Sequence, residues 1–188
     1  GHLCEWMALT ASQRSGIEFK VNRDDVRVIL NRDELDFART TIAKISRNNG
    51  NKPVVVIAPY ATTKNRNLSK AVLEKVVDGV SGFAVPCLLE PFSPEQYIKG
   101  TVGIGDKDLR KSSAILYTAD AYLGVDSGPL HMVNGAIQGE RIQGASVRRD
   151  KVIVVVGSSN PDVISYRDNR VISSTGGCDA SPCGAHGY

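Results

Sequence analysis

The stretch AYLGVDSGPLHMVNGA, residues 121–136, places an acid, a serine, a glycine, a proline and a histidine at one junction. Asp126 closes an apolar run. Ser127 and Pro129 suit a helix N-cap and a first helical turn, and Gly128 lets a ligand approach the backbone closely. Backbone N–H groups at such a helix start, with about half a positive charge from the helix dipole, make an anion site. His131 falls one turn further along the same side of the helix, where it can donate to an anionic oxygen. The plain alternative is an ordinary helix cap followed by a surface histidine.

A second polar stretch, APYATTKNRNLS at residues 58–69, follows another apolar run. Thr62 and Thr63 offer hydroxyls, and Lys64 and Arg66 offer cations; phosphates need both, and arginine can grip two oxygens at once. The alternative here is a solvated loop. Competing motifs are weak. There is no G-x-x-x-x-G-K-[ST] phosphate loop, and GTVGIGD at 100–106 lacks the third glycine of a dinucleotide fingerprint. GVDSG is not the G-x-S-x-G elbow of a serine hydrolase, and a Ser127–His131 nucleophile–base pair has no recognisable orienting acid. Four cysteines (Cys4, Cys87, Cys178 and Cys183) are too few for a disulfide scaffold in 188 residues. Cys87 sits in an apolar run as a small hydrophobe. Cys178, Cys183 and His186 are weak metal ligands at best, and the expectation is no metal.

These residues need a scaffold to hold them. At 41% hydrophobic and 23% charged the chain has the balance of a globular domain, and a net charge of +3 from 23 basic and 20 acidic residues carries no nucleic-acid footprint. No apolar run approaches the ~20 residues of a membrane helix. With no secretory leader in these residues, a reduced cytoplasmic setting is the expectation. Leu3, Trp6, Met7 and Leu9 predict an amphipathic helix up to Gly16, and VRVIL at 26–30 predicts a strand. Asn31, with Asp33 and Glu34 after it, predicts a helix ending near Asn49-Gly50. Strands follow at 53–59, 83–89 (with Pro86 marking an edge or bend), 101–105, 120–126, 151–159 and 170–174. Helices are predicted at 69–80, 93–100, 106–119 and 127–138, and a polar loop at 139–150. Strand and helix alternate over short connections, so the expected fold is α/β, a Rossmann-like parallel sheet with helices on both faces. Residues 1–50 are expected as a helical arm or linker and 51–188 as the domain itself.

The segment LRKSSAILYTADAYLGVDSGPLHMVNGAI resembles the nucleotide-sugar pocket of the ADP-heptose:lipopolysaccharide heptosyltransferases and their relatives, metal-independent GT-B enzymes with two Rossmann-like domains. VVVIAPYATTKNRNLSKAVLEKVV resembles the first strand and helix of their C-terminal domain, and VIVVVGSSNPDVISYRDNRVI the strand and loop that follow the pocket. The likeness runs over about residues 53–174. It implies one half of a GT-B glycosyltransferase, transferring a sugar from a nucleotide-diphosphate donor, ADP-linked by preference, with inversion. The implied acceptor is a glycan or lipopolysaccharide-like molecule, brought by a separate acceptor domain. The implied location is cytoplasmic, peripheral at the inner membrane face, in lipopolysaccharide biosynthesis, with no cofactor beyond the donor.

By position, the resemblance puts Asp126, Ser127, Gly128, His131, Thr62 and Thr63 around the donor diphosphate. The family lysine of its K-x-W element falls on Arg66 if one loop residue is missing and on Asn67 if none is; its tryptophan becomes Leu68, and Lys64 is a second cation candidate. Glu90 takes the place of a ribose or sugar contact. The general base has no counterpart in this chain. The alternative function is a non-catalytic nucleotide- or anion-binding or assembly module derived from the same fold.

Overall fold

The computed structural model describes residues 3–21, 26–90, 93–147 and 150–173. Six parallel strands form one sheet in the order β3-β2-β1-β4-β5-β6: β1 (Val54–Ala58), β2 (Val85–Leu89), β3 (Val102–Ile104), β4 (Ala121–Val125), β5 (Val152–Val156) and β6 (Arg170–Ser173). The helices are α1 (Leu3–Ser15), α2 (Arg32–Asn48), α3 (Lys70–Ser81), α4 (Leu109–Thr118), α5 (Gly128–Ile142) and α6 (Pro161–Ile164). The expected α/β, Rossmann-like parallel sheet with helices on both faces is the fold observed.

Strand β1, VVVIA, is buried along its whole length. Its alternate residues serve two cores, as both-face burial requires. Val54, Val56 and Ala58 pack with α2, α4 and α5, joined by Ala38, Ile42, Ala114 and Leu130. Val55 and Ile57 pack on the other face with Leu73 and Val77 of α3. Cys87 lies wholly inside the first core, where burial pushes its thiol up to about 12.

Helix α2 starts where the sequence places it. The Asn31 side chain accepts from the Glu34 N–H at 2.9 Å and Glu34 Oε2 accepts from the Asn31 N–H at 2.8 Å, a reciprocal capping box. Glu34 also takes a two-pronged grip from Arg110 of α4, at 2.5 and 2.9 Å, which holds its carboxyl below the usual carboxylate range. Arg110 donates in addition to the Ile29 carbonyl. One guanidinium thus ties α2, α4 and the chain before α2 together, and α2 supplies Ala38 and Ile42 to the same core as the strands.

Several expected elements take another form. Residues 26–30 are extended but belong to no strand. They cross α5, where the Val28 N–H donates to the Gly135 carbonyl at 2.8 Å. A Cβ on Gly139 would lie 2.1 Å from the Val28 carbonyl oxygen, so two glycines one turn apart make the groove for this strap. Its alternating apolar residues bury Leu30 in the helix-covered core rather than extending the sheet. Helix α5 runs on to Ile142 and buries Gly139 and Glu140, so the predicted loop from 139 is helical in its first part. β5 ends at Val156, and the residues after it turn into the short α6, where the sequence pattern predicts a strand running on to 159. The predicted helix at 93–100 contracts to a single 3-10 turn, Pro94–Gln96. Pro86 lies on an interior strand: Val85 donates to Pro53 on the β1 side, while the ladder with β3 begins only at Cys87, so the missing N–H costs no pairing. Helix α1 forms, but Trp6, Met7 and Leu9 are not its buried residues. Ala8 is covered, whereas Trp6 and Met7 are 56% and 65% exposed. Among the described residues no helix is long and apolar enough to cross a membrane.

Candidate functional site

Strands β1 and β4 are sheet neighbours, yet the chain leaves β1 toward β2 and β3 and leaves β4 toward β5 and β6. The loops at their carboxyl ends therefore diverge and open a crevice between them, the place where parallel sheets bind ligands. Here the crevice is a cavity of about 490 Å³.

One wall comes from the loop after β1. Leu68 donates back to the Pro59 carbonyl at 3.0 Å, and the Ala61 N–H donates to the Asn67 side chain at 2.6 Å, which closes the loop on itself. A 3-10 turn over Lys64–Arg66 then aims Arg66 across the crevice. Arg66 Nε donates to Thr63 Oγ1 at 2.6 Å, and Nη1 donates to the Asp126 carbonyl at 3.1 Å and its carboxylate at 3.3 Å. Of the two positions open to the family lysine, Arg66 lines the cavity while Asn67 closes the loop.

The facing wall is the β4–α5 junction. The Asp126 carboxylate is held from two sides, by Arg66 and by Ser159 Oγ at 2.5 Å. Ser127 sits at the N-cap position of α5 but does not cap it; its hydroxyl donates to the Val125 carbonyl at 3.2 Å. Pro129 has no N–H and the Leu130 N–H donates to the Ser127 carbonyl at 3.1 Å, so the helix start faces the cavity chiefly through the backbone at Ser127 and Gly128. A Cβ on Gly128 would meet no atom within 4 Å, which makes it the open face of the junction.

His131 Nδ1 is 2.9 Å from the hydroxyl of Tyr166, and the two rings meet edge to face. Burial lowers the His131 pKa, with the Asp126 charge opposing, and burial pushes the Tyr166 phenol up to about 12. Both are neutral near pH 7. Where the phenol donates to Nδ1 the imidazole proton resides on Nε2, and in the other tautomer Nδ1–H donates to the phenol oxygen. Ser127 and His131 are engaged with Val125 and Tyr166 rather than with each other, which is not the arrangement of an activated serine.

Six of the residues singled out in the sequence therefore line one cavity: Thr62, Arg66, Asp126, Ser127, Gly128 and His131. Thr63 stands behind Arg66 as its hydrogen-bond acceptor. Lys64 is exposed on the outer side of the 3-10 turn, and Glu90 is exposed at the end of β2 against Gly103 and Gly105 of the β3 segment; neither lines the cavity. Cys178, Cys183 and His186 lie outside the described residues, and among the described residues no group of three His, Cys, Asp or Glu could hold a metal ion.

The third wall went unread in the sequence. Ser159, Asn160, Val163 and Ile164 close the cavity from the turn after β5. The signal was there: GSSNP repeats the grammar of DSGP, a cap residue and a proline directly after an apolar strand. Asn160 does cap α6, accepting from the Asp162 N–H at 2.9 Å. The result is a crevice with a helix N-terminus, a guanidinium and hydroxyls at one end and two aliphatic side chains at the other. Such a surface suits a molecule with an anionic end and a flatter, less polar one.

The fold is similar to that of a glycosyl transferase family 9 protein from Veillonella parvula DSM 2008, with a TM-score of 0.63 and 15% sequence identity. The superposition takes in 92% of this chain and 49% of that one, so the chain spans about half the length of its structural neighbour. At this identity the likeness is one of fold. No protein-family model and no curated protein matches the sequence.

Proposed function

We propose that this chain is the donor-binding half of a glycosyltransferase, holding a nucleotide-diphosphate sugar with its diphosphate at the start of α5. The observation that carries this reading is the meeting of Arg66 and the Asp126–Gly128 junction over one cavity at the switch point between β1 and β4. The fold shared with half of a glycosyl transferase family 9 protein supports it.

In this reading the α5 N-terminus and Arg66 stabilise the charge that the diphosphate gains as the glycosidic bond breaks. Arg66 Nη2 makes no hydrogen bond among the described residues and is the prong left for a phosphate oxygen. Asp126 fixes Arg66 rather than touching phosphate, and neutral His131 donates through Nε2. Val163 and Ile164 support the nucleoside. ADP is the favoured nucleotide and a glycan or lipopolysaccharide-like molecule the favoured acceptor. The base that activates that acceptor comes from outside the residues of this cavity.

A second reading has one observation in its favour. The Arg66 charge is already offset by Asp126, with the side chains only 21% and 10% exposed, which weakens the site for a highly charged ligand. An anion-binding or assembly module without turnover is consistent with that pairing. Calorimetric titration of ADP, UDP and GDP separates the outcomes. The donor reading expects one nucleotide to bind, and to bind more weakly to Arg66→Gln and His131→Ala. A well-folded wild type that binds none of the three removes the donor-site reading.

A further inference from the structure

Beneath the α5 junction lies a buried polar group whose hydrogen-bonding capacity is not met. Tyr122 is fully buried, and its hydroxyl has no hydrogen bond of normal geometry, although the Ser127 side chain lies close enough to act on it. The ring runs along β4 over Gly124, where an added Cβ would fall 2.1 Å from the phenolic oxygen. Gly124 is thus the residue that makes room for the phenol to reach the carboxyl end of the strand. The polar side chain next to that phenol is Ser127, whose hydroxyl is turned onto the Val125 carbonyl instead. Burying a hydroxyl without a partner is unfavourable, so such a group in a native structure calls for an explanation.

We propose that Tyr122 is a positioning residue for an anion bound at the start of α5: when a phosphate oxygen occupies that point, Ser127 leaves the Val125 carbonyl, donates its proton to the oxygen, and accepts from the Tyr122 hydroxyl. This deepens the proposed donor site and rests on it. The chain of donors has one direction, Tyr122 to Ser127 to anion. Burial keeps the phenol protonated far above neutral pH, so it retains a proton to donate to Ser127. A hydroxyl that accepts one hydrogen bond donates a stronger one, so the buried phenol raises the affinity of Ser127 for an acceptor. A Ser127 hydroxyl that accepts from Tyr122 keeps its own proton for the ligand, which favours an acceptor oxygen at this point. The site is thereby matched to a phosphate or diphosphate oxygen.

The test is calorimetric titration of inorganic pyrophosphate and of ADP, UDP and GDP into wild type, Tyr122→Phe, Ser127→Ala and the double variant, with the melting temperature of each ligand-free protein. Tyr122→Phe is expected to bind about five- to ten-fold more weakly, with a melting temperature equal to or above wild type because the deleted hydroxyl makes no hydrogen bond of normal geometry. Ser127→Ala is expected to lose at least as much, and the double variant no more than Ser127→Ala alone. A second readout is the tyrosine C–O stretch in the infrared difference between wild type and Tyr122→Phe, which should shift when pyrophosphate is added. Wild-type affinity in Tyr122→Phe, or losses that multiply in the double variant, overturns this inference while leaving the donor site standing. A wild type that binds neither pyrophosphate nor any of the nucleotides overturns both.

Discussion

Removing the Asp126 carboxylate should destabilise the protein although it lies at a cavity. The carboxylate accepts from Ser159 at 2.5 Å and from Arg66 at 3.3 Å, and Arg66 keeps 21% of its side chain in water. A hydrogen bond to a charged group contributes roughly 1.5–3 kcal/mol, and the Ser159 bond is short enough to stand in that range. Breaking a fully buried pair costs about 3–5 kcal/mol; this pair falls below that because Arg66 retains Thr63 and the Asp126 carbonyl and can turn toward solvent. Asp126→Ala should therefore cost about 2–3 kcal/mol, a drop in melting temperature of about 4–12 °C for a chain of this size. Ser159→Ala removes only one of the two donors and should cost about 1–2 kcal/mol. The double variant should be no less stable than Asp126→Ala, because Ser159 has then already lost its acceptor. Urea unfolding of the four proteins gives these values. A cost below about 0.5 kcal/mol for Asp126→Ala, or full additivity in the double variant, would refute the three-residue network.

Three further outcomes follow from the packing and the charges. Gly139→Ala should destabilise, since its Cβ would press on the Val28 carbonyl, whereas Gly79→Ala on the exposed face of α3 meets nothing within 4 Å and should stabilise by about 0.5–1 kcal/mol; thermal melts of the pair check the opposite signs. His131 has its pKa lowered by burial, so the unfolded chain takes up the proton first and stability falls as pH drops below about 6.5 toward the folded value. Replacing it, His131→Gln, should flatten the change in urea midpoint between pH 7.5 and 5.5. Glu34 is held low by Arg110, so its contribution is present above its ordinary value of 4.5 and lost as pH falls through the folded one. Glu34→Gln should lower stability at pH 7 and lessen its further loss on acidification, measured by unfolding at pH 7 and pH 3.5.

The amino-acid pattern by itself determined the elements whose burial is complete. Continuous β-branched runs such as VVVIA announce strands covered on both faces, and Asn31 with Glu34 announces a helix start through hydrogen bonds three residues apart. The strand-to-helix junction at Asp126–Gly128 was legible for the same reason, because its grammar is local. Only the tertiary structure decided what those elements meet. Apolar periodicity records that a face is buried and not what buries it, so the alternation at 26–30 predicted a strand while the glycines of α5 made it a strap across a helix. It predicted a helix at Trp6 and Met7 without supplying anything to cover them. Arg66 and Asp126 stand 60 positions apart and meet because β1 and β4 are neighbours, a consequence of strand order that no local pattern carries. Tyr166 reaches His131 from 35 positions away in the same manner. Ser127, the residue best suited by type to cap α5, turns its hydroxyl away from the helix start, and the phenol of Tyr122 lies buried below it without a hydrogen bond of normal geometry. Side-chain orientation at a packed junction is chosen by all its neighbours at once, and the chain must fold before those neighbours exist.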